Sequence, residues 1–122
     1  MKRVVIVVVI AALLLWGCGT KTRISWDEAK DHLGKEVQVC GPVKGTYYDS
    51  VGWGTPTYLH MGKPYPEPDR IVLVIWGPNR AKFPQPPEEY YSDRSICVTG
   101  TLAWYGGVPW IVLESPAQID ER

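Results

Sequence analysis

Aromatic rings interleaved with cations are the groups in this sequence with the clearest chemistry to offer. Tyr47, Tyr48, Trp53, Tyr58, His60, Tyr65, Trp76 and Tyr105 stand near Lys44, Lys63, Arg70, Arg80 and Lys82 in the chain. Unpaired bases stack on such rings while cations follow the phosphates, so the mixture suits single-stranded nucleic acid. An oligosaccharide would use the same rings. Trp26, Trp76 and Trp104 suit a hydrophobic core equally well.

Catalysis has no comparable support. No Ser-His-Asp set, phosphate-binding glycine loop or spaced carboxylate pair stands out. His32 lies where a helix C-terminus would use its charge. With two His and no Cys-x-x-Cys, a zinc site is not expected. These residues read as a binding module, not an enzyme, with no cofactor and no metal.

The start of the 122-residue chain belongs to no fold. Lys2 and Arg3, an apolar run over 4–16, Gly17 and Cys18 have the layout of a secretory signal. The apolar run is short of the roughly 20 residues that a permanent spanning helix needs. Its ending, "LWGC", resembles the lipobox of bacterial lipoproteins at Leu15, Gly17 and Cys18, although Trp16 is bulkier than the small residue usual there. The resemblance implies removal of residues 1–17 as a signal peptide, acylation of Cys18, and a membrane anchor that several acyl chains make stable. Residues 18–23 would be the lipidated N-terminus and its tether. The expected location is the bacterial cell envelope, and Gly19 in place of an aspartate after the lipidated cysteine leans toward the outer membrane. Without Lys2 and Arg3, 11 basic residues face 13 acidic ones, a net charge of −2. That is a poor profile for a general polyanion binder, which should be basic.

The remaining residues must build the scaffold. Ser25 and Glu28 form a capping box, Ile24 can staple onto Ala29, and Gly34 supplies a left-handed stop, which predicts a two-turn helix burying Trp26, Ala29 and Leu33. From Glu36 the period changes to two. Val37, Val39, Gly41 and Val43 share one face, and Gln38, Cys40, Pro42 and Lys44 the other, with a bend or bulge expected at Gly41 and Pro42. A long loop, "TYYDSVGWGTP", leads to a second strand, "TYLHMG", with Thr57, Leu59 and Met61 inward and His60 outward. "KPYPEPD" reads as a turn, and "RIVLVIW" as a strand covered on both faces. One short helical turn is expected around Glu88 and Glu89. "ICVTGTLAW" and "VPWIVL" then form a hairpin across Gly106 and Gly107, and a polar tail follows.

Alternation places Cys97 opposite Ile96, Val98 and Leu102, hence on the outer face, as it does Cys40. With Cys18 carrying lipid, Cys40 and Cys97 are left as a pair in an oxidising compartment. They can bond only if the first and fourth strands are neighbours in matching register. Helix, three strands, a helical turn and two strands, with the first strand beside the fourth, is the connectivity of an all-β, five-stranded Greek-key OB-fold barrel. A calcium nuclease on such a barrel would need carboxylates where these strands are aliphatic.

The stretches "LGKEVQVCGPVKGTYY", "PTYLHMGKPYP", "VIWGPNRAKF" and "ICVTGTLAWYGGVPWIVLESPAQI" resemble bacterial OB-fold modules of the nucleic-acid-binding and tRNA-anticodon-binding-like type. The resemblance implies an OB-fold domain over 24–119, with 120–122 as a polar tail. It also implies ligand binding across the second and third strands, between the first-second and fourth-fifth loops. The candidate ligand residues are then Lys44, Tyr47, Tyr48, Trp53, Tyr58, His60, Lys63, Tyr65, Trp76, Arg80 and Tyr105. The expected partner is single-stranded nucleic acid or another extended polymer such as a glycan; the alternative is that this chain is a structural or assembly lipoprotein of the cell envelope, which binds an envelope protein through its barrel face.

Overall fold

The computed structural model describes residues 21–122. The expected signal peptide over 1–17 and the lipidation site Cys18 lie outside the described residues.

Eight strands form the domain: β1 (Arg23–Ser25), β2 (Glu36–Tyr48), β3 (Thr57–Met61), β4 (Ile71–Ile75), β5 (Ser95–Thr101), β6 (Ala103–Tyr105), β7 (Val108–Val112) and β8 (Ile119–Glu121). They lie in the order β6-β7-β4-β3-β2-β5-β8, and β1 pairs with β2. Six of the segments, β2 to β7, correspond to the five expected strands, because β5 and β6 are one run that breaks at Leu102. There the chain turns from one end of the strand order to the other and closes the barrel. Leu102 N–H donates to the Lys35 carbonyl at 3.0 Å, and Gly34 N–H to the Leu102 carbonyl at 2.7 Å. A side chain at Gly100 would put its Cβ 2.5 Å from Ile111 Cγ2, so glycine is what allows β5 to press against β7.

The expected neighbours, first and fourth strands, are β2 and β5. Cys40 stands directly opposite Cys97 in that ladder, and the two form a disulfide with Cα atoms 4.0 Å apart. Alternation assigned Cys97 correctly to the face away from Val98, yet it is fully buried rather than exterior. The cause is the chain end, expected as a polar tail over 120–122. Residues 119–121 instead form β8, with Asp120 opposite Cys97, and Arg122 Nη1 donates to Cys97 Sγ at 3.4 Å. Arg23, expected in the tether, likewise belongs to β1 and pairs in parallel with Gln38.

Alternation on β2 and β3 directs Val37, Val39, Val43, Leu59 and Met61 inward, where they meet Leu73, Ile75, Ile96, Val98 and Ile111. Each such side chain contributes about 1.5–3 kcal/mol through burial. β4 is buried at every position, as its unbroken aliphatic run requires. The helical stretch Trp26–His32 is a 310 helix, with Glu28 Oε1 accepting from Ser25 N–H at 2.8 Å and Gly34 at φ +83° ending the turn. Of its expected core residues, Ala29 is buried, Trp26 is half-buried and Leu33 is exposed. Gly41 is the seat of the Trp26 ring, since a Cβ there would lie 2.7 Å from it. The bulge falls later, between Val43 and Gly45. Two short helices, α1 (Gly77–Arg80) and α2 (Pro87–Tyr90), replace the single expected helical turn.

Candidate ligand-binding groove

The outward face of β3 carries Tyr58 and His60, because Thr57, Leu59 and Met61 take the inward positions. Ladder register extends that face sideways. Tyr47 on β2 is opposite Tyr58, and His60 is opposite Val72 on β4, which in turn faces Trp110 on β7. The turn between β3 and β4 folds back with Pro64, Tyr65 and Arg70. Together with Gly45 and Thr46 these residues enclose a groove of about 670 Å³.

Its walls are rings. Tyr58 meets Trp110 edge-on at 5.9 Å between centroids and lies nearly parallel to His60 at 6.3 Å. Tyr65, 69% exposed, stands 6.0 Å from His60, and the Arg70 guanidinium lies 5.0 Å from the Tyr65 ring centre. Arg70 is held by two bonds, Nε donating to His60 Nδ1 at 3.3 Å and Nη1 to the Glu67 carbonyl at 2.7 Å. Burial, and then the positive charge of Arg70, lower the His60 pKa to about 4. Burial, and then the Asp49 carboxylate, raise the Tyr58 phenol above its ordinary range. At neutral pH both rings are uncharged, which leaves Arg70 as the only charge in the lining.

The expected ligand residues divide into three groups. Tyr47, Tyr58, His60 and Tyr65 line the groove, and Tyr105 adjoins it by packing edge-on against Trp110 at 4.9 Å. Tyr47 and Tyr48 were expected in a loop, but β2 runs on through both and pairs them with β3. Tyr48 serves a different contact, because Arg80 lies over its ring at 3.6 Å while donating to Thr57 Oγ1 at 2.7 Å and to Glu88 at 2.9 Å. Trp53, 89% exposed, stands on the β2–β3 loop against Trp76 at 5.9 Å. Lys44 is exposed on the bulge, and Lys63 pairs with Asp69 at 3.3 Å. His60 points outward as expected but is nearly covered, since Tyr65 and Arg70 close over it. Trp110 was not among the expected residues, although parity could have found it: Ile111 and Leu113 are inward, so Trp110 faces out.

Neither family models nor curated proteins give a match to the sequence. Solved structures do. A chain of the yeast Stn1 and Ten1 structure superposes with a TM-score of 0.57 at 12% identity, covering 86% of this chain and 64% of that one. A chain assigned as an aspartyl-tRNA synthetase from Leishmania major Friedlin gives 0.53 at 11% identity, over 84% of this chain and 21% of that one. A Klebsiella pneumoniae chain assigned as a nucleic acid-binding lipoprotein gives 0.49 at 15% identity, over 77% and 75%. This chain therefore spans a minor part of the synthetase and less than two thirds of the yeast chain. At these identities the likeness to the first two is one of fold, and joined to the strand order above it makes the domain an all-β barrel of the OB type.

Proposed function

We propose that this protein is a non-enzymatic OB-fold module, anchored in the bacterial envelope by lipid on Cys18, that binds single-stranded nucleic acid along the β2–β3 face. The observation that carries the reading is the row of rings across Tyr47, Tyr58, Trp110 and Tyr65 with Arg70 at its rim. Rings at this spacing offer stacking surfaces to successive bases, and one guanidinium offers a phosphate contact. The structural neighbours support the fold on which such binding occurs, and one of them is named for its work on tRNA.

Charge sets the expected strength. Lys21, Lys63, Arg80 and Arg94 each have a carboxylate partner, and Arg70 is the one cation that lines the groove, so few cations stand where they could follow a phosphate chain along it. A salt series with fluorescent oligonucleotides tests the reading. Because each phosphate contact on a single strand contributes a slope of about −0.7, one or two contacts give a log affinity against log salt slope of about −1. Absence of binding at low salt overturns the proposal. The same paired cations favour a second reading, an envelope protein seated on the rings. That reading gains if a stoichiometric partner copurifies from detergent-solubilised membranes and is lost with Tyr58→Ala.

A further inference from the structure

The hydrogen bond between Arg70 and His60 fixes more than two side chains. A guanidinium has only donors, so His60 Nδ1 must be the acceptor in the 3.3 Å contact from Arg70 Nε. The neutral imidazole then carries its one proton on Nε2. Among the described residues, Trp110 Nε1 is the only shielded side-chain nitrogen or oxygen without a partner, so the unpartnered His60 Nε2 keeps contact with solvent, and its ring is part of the groove lining. The indole nitrogen of Trp110, in the same lining, is also a donor that cannot accept. Among the side-chain nitrogens of the lining, His60 Nε2 and those of Arg70 are therefore the donors left to a ligand, since the indole N–H is shielded, and the side-chain acceptors are rotatable hydroxyls.

Resting on the nucleic-acid reading above, we infer that the groove selects a base carrying a keto oxygen beside its stacking face, with His60 Nε2–H donating to that oxygen and Arg70 acting as the positioning residue that holds the proton there. Thymine and hypoxanthine satisfy the donor. Adenine brings an amino group to the same place, setting donor against donor, and the mismatch costs affinity because neither group regains its hydrogen bond with water. Selection by a fixed donor differs from stacking, which accepts any base. The rings hold the strand while His60 reads it.

The test is a competition among single-stranded oligonucleotides of equal length: thymidine only, adenosine only, and the adenosine strand with hypoxanthine at alternate positions. Thymidine is expected to bind about tenfold more tightly than adenosine, with hypoxanthine restoring much of the difference. His60→Phe keeps a ring but removes the donor and should erase the ratio, whereas His60→Gln keeps an N–H and should retain part of it. Arg70→Met, at a half-exposed site that leaves the barrel core intact, should shrink the ratio by freeing the tautomer; a merely structural role would lower affinity for all three strands alike. Equal binding of all three strands, or a ratio unchanged in both His60→Phe and Arg70→Met, overturns the inference and leaves the binding reading standing. Failure of every strand to bind overturns the binding reading itself.

Discussion

The two halves of β2 do opposite work. Over Glu36–Pro42 it is clamped by β5 on one side, by β1 on the other, and by the Cys40–Cys97 bond within the ladder. Past the bulge at Lys44 it pairs with β3 and carries Tyr47 on a face that leaves a groove open. The first half holds the barrel shut; the second offers its side chains outward. A small barrel can keep a large, wet aromatic face when covalent closure and a packed aliphatic interior lie elsewhere along the same strand.

The strongest way to break this comparison is to remove the covalent bond. Cys40 and Cys97 are 57 residues apart, and on the chain-entropy model a loop of that size is worth about 4 kcal/mol. Replacing both with alanine should lower the urea midpoint by a corresponding amount, and reductant should do the same to the wild-type protein. A loss below about 1 kcal/mol would mean that the β2–β5 ladder and β8 close the seam without help.

A smaller effect is expected where the two regions join. Arg80 bridges Thr57 at the start of β3 to Glu88 on α2, with both charged side chains about four-fifths covered. Burial pulls the Glu88 carboxyl up, but hydrogen bonds from Arg80 and the backbone, with the guanidinium charge, outweigh it and hold the pKa below the ordinary value. Stability from this pair is therefore fully present above the unfolded carboxylate's pKa and is lost as pH falls through the lower folded value. Arg80→Met should cost about 2 kcal/mol near neutral pH. Glu88→Gln should flatten the acid limb of the stability curve between about pH 4.5 and the lower folded pKa. An unaltered acid limb in Glu88→Gln would show that the carboxylate responds to solvent, not to Arg80.

What could be read from the sequence follows the same division. Val37, Val39 and Val43 set the parity of β2, and parity set the disulfide, because alternation is a property of the backbone that local sequence reports directly. The burial of Cys97 was hidden because it depends on β8, a three-residue strand, "IDE", whose single apolar residue is too little to signal a strand before β5 offers an edge. Tyr47 and Tyr48 read as loop for a related reason. Strand continuation past a bulge is decided by the partner β3 and not by the residues themselves. Within the groove, ring type and parity gave Tyr58 and His60 and could have given the outward face of Trp110, whereas the role of Arg70 and the meeting of Trp110 with Val72 required the fold, since turn closure and the β4–β7 ladder bring together positions far apart in the chain.

The smallest stability effect belongs to the most exposed ring of the groove, and it sharpens the comparison most. Tyr65 is 69% exposed, and its ring meets Arg70 and His60. Tyr65→Ala should therefore change unfolding free energy by less than about 0.5 kcal/mol, as a surface substitution does. A stacked base is worth about 1–3 kcal/mol, so the same variant should weaken oligonucleotide binding by roughly 5- to 150-fold. Parallel urea unfolding and anisotropy titrations measure both quantities on one preparation. If stability and binding fall together, Tyr65 supports the barrel as Cys97 does, and the division along β2 fails. If binding alone falls, the open half of the strand is maintained for contact with something outside the protein, because folding would not miss it.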